Sequence, residues 1–530
     1  MMKYVLQHPY SLAAITGLLL AAAWPTYGFP LLLFVAFVPL FIAEKKLRES
    51  NASTLKVLSV AYLSFLIWNL LTTWWLYYAS GFGMWFAVLV NALLMSLVFL
   101  LYHWAAKRIA KGFSLLLFVC LWMSFEKFHL EWEFSWPWLN LGHAFATFPK
   151  WIQWYEYTGA FGGSLWVLTI NALVFYQLSN SGFTIKKTNL LYLSLGIALP
   201  ILLSLGMYYS YKSVGPTKEV ILLQPNVDPY TEKYNSTNYN TTRELLDLAA
   251  PMCSKQTAYV IAPETVLAEM IPYDQFYQST SPMLMRQFIQ QHPGIQLLWG
   301  IDTFTFITDP RAVKPASNAY RPGLWVDFYN AALFVDERPE IQKYYKSKLV
   351  VGIENLPYKP LLEPLLGNIM LDLGGTISTK TTQADRAVFT SVDGSKVAPI
   401  ICYESVYGNY VNGYVNNGAQ FLAIITNDAW WNETQGHKQH LSFASLRAIE
   451  TRRDIARSAN TGISAFINQK GEVIQQSKYG EKIALKGQVQ LNNQRTLYVR
   501  FGDYIATAAM SIGSVLMLML LIKPFRKNLT

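Results

Sequence analysis

What most constrains this chain is where its charges are missing. Of its 530 residues, 52% are hydrophobic and only 14% charged, against about a quarter charged in soluble proteins. The deficit is uneven. Residues 1–211 carry long uncharged apolar runs, residues 212–502 have the composition of an ordinary soluble domain, and the chain turns apolar again after that. A run of about 20 apolar residues crosses the hydrocarbon core of a bilayer as a helix, which satisfies its own backbone there. The pattern predicts a membrane protein carrying one large insert, too long for a single ordinary domain.

Eight spans are expected, near residues 10–24, 27–43, 57–79, 83–106, 113–130, 161–180, 189–211 and 504–523. The first two are short and meet at Trp24-Pro25-Thr26-Tyr27-Gly28, which reads as a helical hairpin. A cleaved leader over residues 1–23 is the rival reading. Basic residues cluster at Lys45, Lys46 and Arg48, at Lys107, Arg108 and Lys111, at Lys186 and Lys187, and at Lys523, Arg526 and Lys527. With eight spans all four clusters fall on the side of Lys3, while the connections near Gly28 and Gly81 hold no Lys or Arg. The positive-inside rule then predicts cytoplasmic termini and residues 212–502 on the opposite face. Three parts follow: a seven-span domain over 1–211, the insert over 212–502, and an eighth span with a cytoplasmic tail over 503–530. The insert holds 28 Lys+Arg against 26 Asp+Glu, so most of the net charge of +10 belongs to the membrane part. No basic stripe or reading motif indicates a nucleic-acid partner.

The insert alternates short β-rich runs with helical stretches. Strands are predicted at Val220–Leu223, Ala258–Ala262, Gln296–Gly300, Asn330–Phe334, Pro399–Cys402, Phe421–Thr426 and Ser464–Ile467. Helices are predicted at Thr241–Cys253, Gln275–His292, Tyr407–Asn417 and Gln435–Ser458. The alternation argues an α/β domain. The Leu-rich stretch Pro360–Thr382 is too apolar for a solvent loop, and reads as a packed core segment or a membrane-facing lid.

Cys402 ends the apolar run Ala398-Pro399-Ile400-Ile401 and precedes Tyr403-Glu404-Ser405. A thiol at a strand end is either small apolar filler or a nucleophile held clear of the core. The other cysteines are Cys120 and Cys253; the count is odd, and a Cys253–Cys402 disulfide is chemically allowed but not indicated. His437 and His440 stand without a Cys or Glu cluster and are expected at the surface, not on a metal. No metal and no cofactor is expected. Glu264 follows Tyr259-Val260-Ile261-Ala262-Pro263, where Pro263 stops the strand, and Lys346 lies in Tyr344-Tyr345-Lys346-Ser347-Lys348-Leu349. Loops beyond strand ends are where α/β sheets place chemistry. A carboxylate, an ammonium and a thiol suffice for acyl transfer through a base, an oxyanion partner and a thioester. Taken singly, Glu264 also reads as a surface cap and Lys346 as one of a solvated pair, and spacing alone does not join the three.

Ala262-Pro263-Glu264-Thr265, Tyr345-Lys346-Ser347-Lys348-Leu349 and Ile401-Cys402-Tyr403-Glu404 resemble the Glu, Lys and Cys segments of the nitrilase superfamily. A nitrilase-like domain inserted before the last of eight spans resembles, over essentially the whole chain, the apolipoprotein N-acyltransferase family. Trp136-Pro137-Trp138-Leu139-Asn140-Leu141-Gly142 and Gly352-Ile353-Glu354-Asn355-Leu356-Pro357 belong to the same resemblance. It implies a polytopic helical membrane bundle joined to an extramembrane α-β-β-α sandwich. It implies Glu264 as general base, Lys346 as oxyanion stabiliser and Cys402 as nucleophile, with Glu354 and Glu404 in support and the Tyr403 N–H at the oxyanion. Two segments depart from the family pattern. Lys233-Tyr234 stands where Lys-Trp is usual, and Val350-Val351-Gly352-Ile353-Glu354 where Val-Pro-Phe-Gly-Glu is usual.

Tyr234 and Trp138 are the expected substrate-contacting aromatics. Trp132, Trp136, Trp151 and Trp154 read mainly as interfacial aromatics, with Glu131, Glu133 and Glu156 facing solvent. The reaction implied is N-acylation of the α-amine of an S-diacylglyceryl cysteine at an apolipoprotein N-terminus, the last step of lipoprotein maturation. The donor is the sn-1 acyl chain of a phospholipid, carried as a Cys402 thioester. A monomer is implied, in a bacterial inner membrane with its catalytic domain in the periplasm. The rivals are a membrane-anchored nitrilase-type amidase or hydrolase with water as acceptor, and a non-enzymatic binding or transport protein. Few charges lie inside the spans, which argues against transport.

Overall fold

The computed structural model describes residues 8–181, 186–364 and 378–522. Lys3, the cluster at Lys523, Arg526 and Lys527, and residues 365–377 of the Leu-rich stretch lie outside the described residues. The chain divides into two compact units, Met1–Ser210 with Phe501–Thr530, and Tyr211–Arg500.

The first unit is helical. Among the described residues five helices are long and apolar enough to cross a membrane: Thr54–Tyr78, Gly81–Ala106, Ala160–Asn180, Lys187–Ser210 and Tyr504–Leu521. The other three expected spans take different forms. Pro9–Ala22 has only 14 residues. The run 27–43 is broken into Pro30–Leu32, Leu33–Ala36 and Val38–Glu49, because Pro30 and Pro39 fit only the first turn of a helix and interrupt its interior. Lys111–His129 carries Lys111, Glu126 and Lys127 in its 19 residues. Leu195, Leu199 and Leu202 stay exposed on Lys187–Ser210, which suits lipid and not water. Inside the bundle, Glu126 accepts from Leu141 N at 2.9 Å, Trp122 Nε1 at 3.2 Å and Ser164 Oγ at 2.6 Å. Its carboxylate thereby fastens the irregular segment around Leu141 to two helices.

The second unit is built on two sheets. The first contains β1 (Thr217–Gln224), β2 (Thr257–Ile261), β3 (Leu267–Pro272), β4 (Gln296–Ile307), β5 (Asn318–Arg321), β6 (Leu324–Val335) and β7 (Gln342–Tyr345). The second contains β8 (Phe389–Thr390), β9 (Lys396–Ile401), β10 (Phe421–Thr426), β11 (Ile455–Ala459), β12 (Ala465–Ile467) and β13 (Val473–Gln476). The last strand, β14 (Ile483–Gln490), returns to the first sheet, whose order is β14-β1-β2-β4-β6-β5 with β3 beside β4 and β7 beside β6. The second sheet runs β13-β12-β11-β10-β9-β8.

Period-two alternation sorts the side chains into layers. Tyr259 lies between the sheets, with ring centroids 5.1 Å from Phe421 and 6.4 Å from Phe334. Its neighbour Val260 joins Leu245, Met285 and Phe288 beneath the helices Asn238–Ala249 and Thr280–Gln291. Gly408–Asn416 and Gln435–Thr451 cover the second sheet. Strands covered on both faces read as continuous apolar runs, as Phe421–Thr426 does with all six residues buried. The result is the four-layered α-β-β-α sandwich that the resemblance implies.

Three expected elements change. The helix predicted over Gln435–Ser458 stops at Thr451, where Arg452 turns to φ +51° as its cap, and Ile455–Ala459 becomes strand β11 in the middle of the second sheet. The helix predicted over Gln275–His292 splits at Ser279 into Tyr273–Gln278 and Thr280–Gln291. The strand predicted to include Cys402 ends at Ile401.

Candidate active site

Glu264, Lys346 and Cys402 leave three different strands. Strand β2 ends at Ile261, β7 at Tyr345 and β9 at Ile401, and the two-sheet packing brings these ends together. Gly300 of β4 passes directly beneath the Glu264 loop and donates its N–H to Pro263 O at 3.1 Å. A Cβ on Gly300 would stand 2.4 Å from both Pro263 O and Thr265 N and 2.7 Å from Glu264 Cα. The next residue, Thr265, holds φ +46°.

Lys346 is 2% exposed, and its Nζ lies 2.8 Å from Glu264 Oε1 and 2.8 Å from Glu354 Oε2. Asn330 Nδ2 bridges the same two carboxylates, donating to Glu264 Oε1 at 2.7 Å and Glu354 Oε1 at 2.9 Å. Asn330 also anchors the backbone, its carbonyl accepting from Lys346 N at 2.8 Å. Asn427 N donates to Glu264 Oε2 at 3.1 Å, and Val350 N to Glu354 Oε2 at 2.9 Å. Burial disfavours the Lys346 ammonium, but Glu264 and Glu354 outweigh it and hold its pKa well above the usual lysine range. For Glu354 burial pushes the carboxyl up, and Lys346 with Lys380 more than reverses this, leaving it below the usual range.

Cys402 is buried, and it opens the turn Cys402–Val406 with φ +50°. A residue with a Cβ in that region stores about 1–3 kcal/mol of strain, a feature concentrated at functional sites. Burial, followed by the Glu264 charge, pushes the thiol well above its ordinary range, while Lys346 pulls it back. This setting favours the thiol over the thiolate, and a neighbouring base would offset that preference.

Glu404 braces both ends of this arrangement. Its Oε1 accepts from Tyr344 OH at 2.6 Å, Ser347 N at 2.7 Å and Tyr410 OH at 3.1 Å. Its Oε2 accepts from Ile401 N at 2.9 Å and Tyr414 OH at 3.1 Å. The residue after Lys346 and the residue before Cys402 thus hang on one carboxylate. Burial drives that carboxyl above its ordinary value despite the hydrogen bonds from Tyr344 and Ile401.

Tyr403 is buried beside the thiol. Tyr234 is 55% exposed, and its ring covers the buried ammonium of Lys233 at 5.4 Å. Lys233 Nζ donates in turn to Thr265 Oγ1, which links Tyr234 to the Glu264 loop. Trp138 belongs to the other unit, where it is buried against Trp75 and Trp136 at ring distances of 5.0 and 5.8 Å. Glu131 and Glu133 are exposed, whereas Glu156 is half-buried.

The family model for the apolipoprotein N-acyltransferase N-terminal domain matches residues 16–173, and that for carbon-nitrogen hydrolase matches residues 235–497. An apolipoprotein N-acyltransferase from Chlorobaculum tepidum is 28% identical, over 97% of this chain and 97% of its own. One from Geobacter metallireducens is 25% identical, over 96% of this chain and 94% of its own. The chain belongs to the apolipoprotein N-acyltransferase family. Among solved structures, an amidase from Nesterenkonia sp. aligns with 56% of this chain and 97% of its own at 16% identity and a TM-score of 0.37.

In this member of the family the site extends beyond the residues singled out from sequence. Asn330 and Asn427 both hold Glu264. Asp428 and Arg457 form a fully buried pair, Arg457 Nη2 donating to Asp428 Oδ2 at 2.6 Å. His437 and His440, expected at the surface, are both 0% exposed, because the helix Gln435–Thr451 is buried on nearly every side. Asn427-Asp428 follows the apolar strand Phe421–Thr426 directly, the same strand-end placement that marks Glu264 and Cys402. All three cysteines are free thiols.

Proposed function

We propose that this chain transfers the sn-1 acyl chain of a phospholipid to the α-amine of an S-diacylglyceryl cysteine at a lipoprotein N-terminus, in two steps through Cys402. The observation that carries the proposal is the buried Lys346 ammonium between Glu264 and Glu354, beside the buried Cys402 thiol in a left-handed turn. In the first step Glu264 takes the thiol proton as sulfur attacks the ester carbonyl. Lys346 and the Tyr403 N–H stabilise the oxyanion. The C–O bond then breaks, and the lysophospholipid leaves with the proton held by Glu264. In the second step the acceptor amine attacks the thioester, the C–S bond breaks, and a proton passes through Glu264 back to sulfur. Glu354 and Glu404 position Lys346 and Cys402, and Tyr234 covers the approach to Glu264. Trp138, expected to touch substrate, is instead buried against Trp75 and Trp136 and packs inside the membrane unit.

Both substrates are lipid-anchored, which gives a physical reason for joining a sandwich domain to membrane helices. The alternation of basic connections supports eight spans, cytoplasmic termini and a periplasmic catalytic domain; a monomer is what the family resemblance implies. The test is to incubate the purified protein with phospholipid labelled in its sn-1 chain. Label that first appears on the protein and then on a diacylglyceryl peptide supports transfer. Release only as free fatty acid would make the chain a hydrolase.

A further inference from the structure

The backbone of Cys402 is tied to a buried group with no part in the steps above. His440 Nε2 lies 3.2 Å from the Cys402 carbonyl oxygen and 3.0 Å from Ser405 Oγ. Ser405 Oγ donates to the same carbonyl at 2.7 Å. A carbonyl oxygen only accepts, so the His440 contact places the ring proton on Nε2. On the far side, the ring nitrogen faces both members of the Asp428–Arg457 pair, and with the proton on Nε2 it accepts from Arg457. His440 Nδ1 stands 3.0 Å from Asp428 Oδ1 and 3.1 Å from Arg457 Nη2. Asp428 accepts from Thr426 Oγ1 at 2.8 Å and from Arg457 Nη2 at 2.6 Å. His440, Asp428 and Arg457 are all 0–1% exposed.

The consequence lies across the peptide bond. The Cys402–Tyr403 peptide is trans, so its carbonyl and the Tyr403 N–H point in opposite directions in one plane. Anchoring the carbonyl on the His440 side fixes that plane and so fixes the direction of the Tyr403 N–H. Ser405 Oγ shares this anchoring and is itself seated against His440 Nε2, and the anchoring matters because Cys402 sits at φ +50°, where relaxation toward negative φ would rotate this peptide.

We infer that His440, held by Asp428 and Arg457, is a positioning residue that aims the Tyr403 N–H at the oxyanion formed on the Cys402-bound carbon. The inference rests on the nucleophile and oxyanion roles proposed above. It goes beyond them in assigning a role to a buried histidine that touches no substrate.

The test compares two reactions of the same sulfur in the full-length protein. Acylation by phospholipid builds an oxyanion; alkylation by iodoacetamide builds none. His440→Phe keeps the ring and removes the donor, and His440→Gln restores an N–H donor at similar reach. Expected for His440→Phe is an acylation rate down about 100-fold, the scale of a misaimed transition-state contact, with KM for the phospholipid and the alkylation rate within about threefold of the wild type on the same reasoning. His440→Gln recovers much of the acylation. Equal losses in acylation and alkylation would mean that His440 only presents the thiol, and unchanged acylation would mean that it does neither; both overturn the inference. If His440→Phe does not fold, the Gln variant and Asp428→Asn carry the same two readouts. Wild-type protein that acquires no acyl adduct at Cys402 would instead defeat the functional proposal itself.

Discussion

Lys346 and Glu354 form an ion pair at 2.8 Å with almost no solvent access to either partner. The pair leaves Lys346 facing Glu264 at the same distance from its other side, so Glu354 neutralises part of a charge that would otherwise bind Glu264 alone. Glu354→Gln removes the charge and keeps the shape. The Glu354 pKa is lowered in the fold, so its stabilisation is complete above the unfolded value of about 4.3 and fades as pH falls through the folded value. The expected result is a variant about 2 kcal/mol less stable at pH 7. Its melting temperature should also depend less on pH below about 4 than the wild type does. Parallel acid slopes for the two proteins would show that the pair contributes nothing.

Gly300 allows β4 to run beneath Glu264 at a separation that no other residue permits. The atoms a methyl group would strike are backbone atoms of Pro263, Glu264 and Thr265, so no side-chain rotation relieves the contact. Gly300→Ala is expected to cost about 1–3 kcal/mol in melting experiments. By shifting the base it should also slow single-turnover acylation by about 100-fold. Normal acylation in a folded Gly300→Ala variant would show that the base tolerates displacement.

How far the sequence reveals this arrangement depends on the physics of each segment. Apolar runs bounded by Pro or polar residues mark β2, β9 and β10, and the ends of the first two give the positions of Glu264 and Cys402; Asn427 stands at the end of the third but carries no chemistry that singles it out in the sequence. Short strands with mixed composition are silent. Gln342–Tyr345, which delivers Lys346, has only four residues, and Val473–Gln476 is exposed throughout. Ile455–Ala459 carries a buried arginine and follows a helix closely enough to read as its continuation. The site's polar network is equally hidden. Asn330 sits inside β6 and meets Glu264 and Glu354 only through folding, 66 and 24 residues away in sequence. His440 reads as a surface residue because nothing in its neighbourhood announces that Asp428 and Arg457 will surround it. In the membrane unit, hydropathy finds the apolar runs but not the breaks, which Pro30 and Pro39 impose on what would otherwise be one span.

Glu404 is predicted to tolerate no replacement that brings a donor. It accepts two backbone N–H groups, from Ser347 on one oxygen and Ile401 on the other. Tyrosine hydroxyls can turn away from a new amide group, but backbone N–H groups cannot. In Glu404→Gln one of the two must face an NH₂, a buried clash of donors worth about 1–3 kcal/mol. Because these groups flank Lys346 and Cys402, acylation should fall together with thermal stability. A Glu404→Gln protein with wild-type melting and turnover would refute the bracing role.

Cys402→Ser separates the two halves of the reaction. The substitution keeps the left-handed turn, since serine and cysteine share the same backbone demands at φ +50°, so the variant should melt close to the wild type. Its hydroxyl is a far weaker acid than the thiol, and in the proposed mechanism Glu264 would have to remove that proton in the same buried setting, so the first step is expected to slow. The second step suffers for another reason. An alkoxide leaves an ester less readily than a thiolate leaves a thioester, so any acyl chain that reaches the oxygen resists the amine. Product formation should fall by about 100-fold or more, while mass spectrometry after long incubation finds the acyl chain still attached at position 402. Turnover equal to that of the thiol enzyme would mean that the chain does not pass through sulfur, and the thioester route would have to be abandoned.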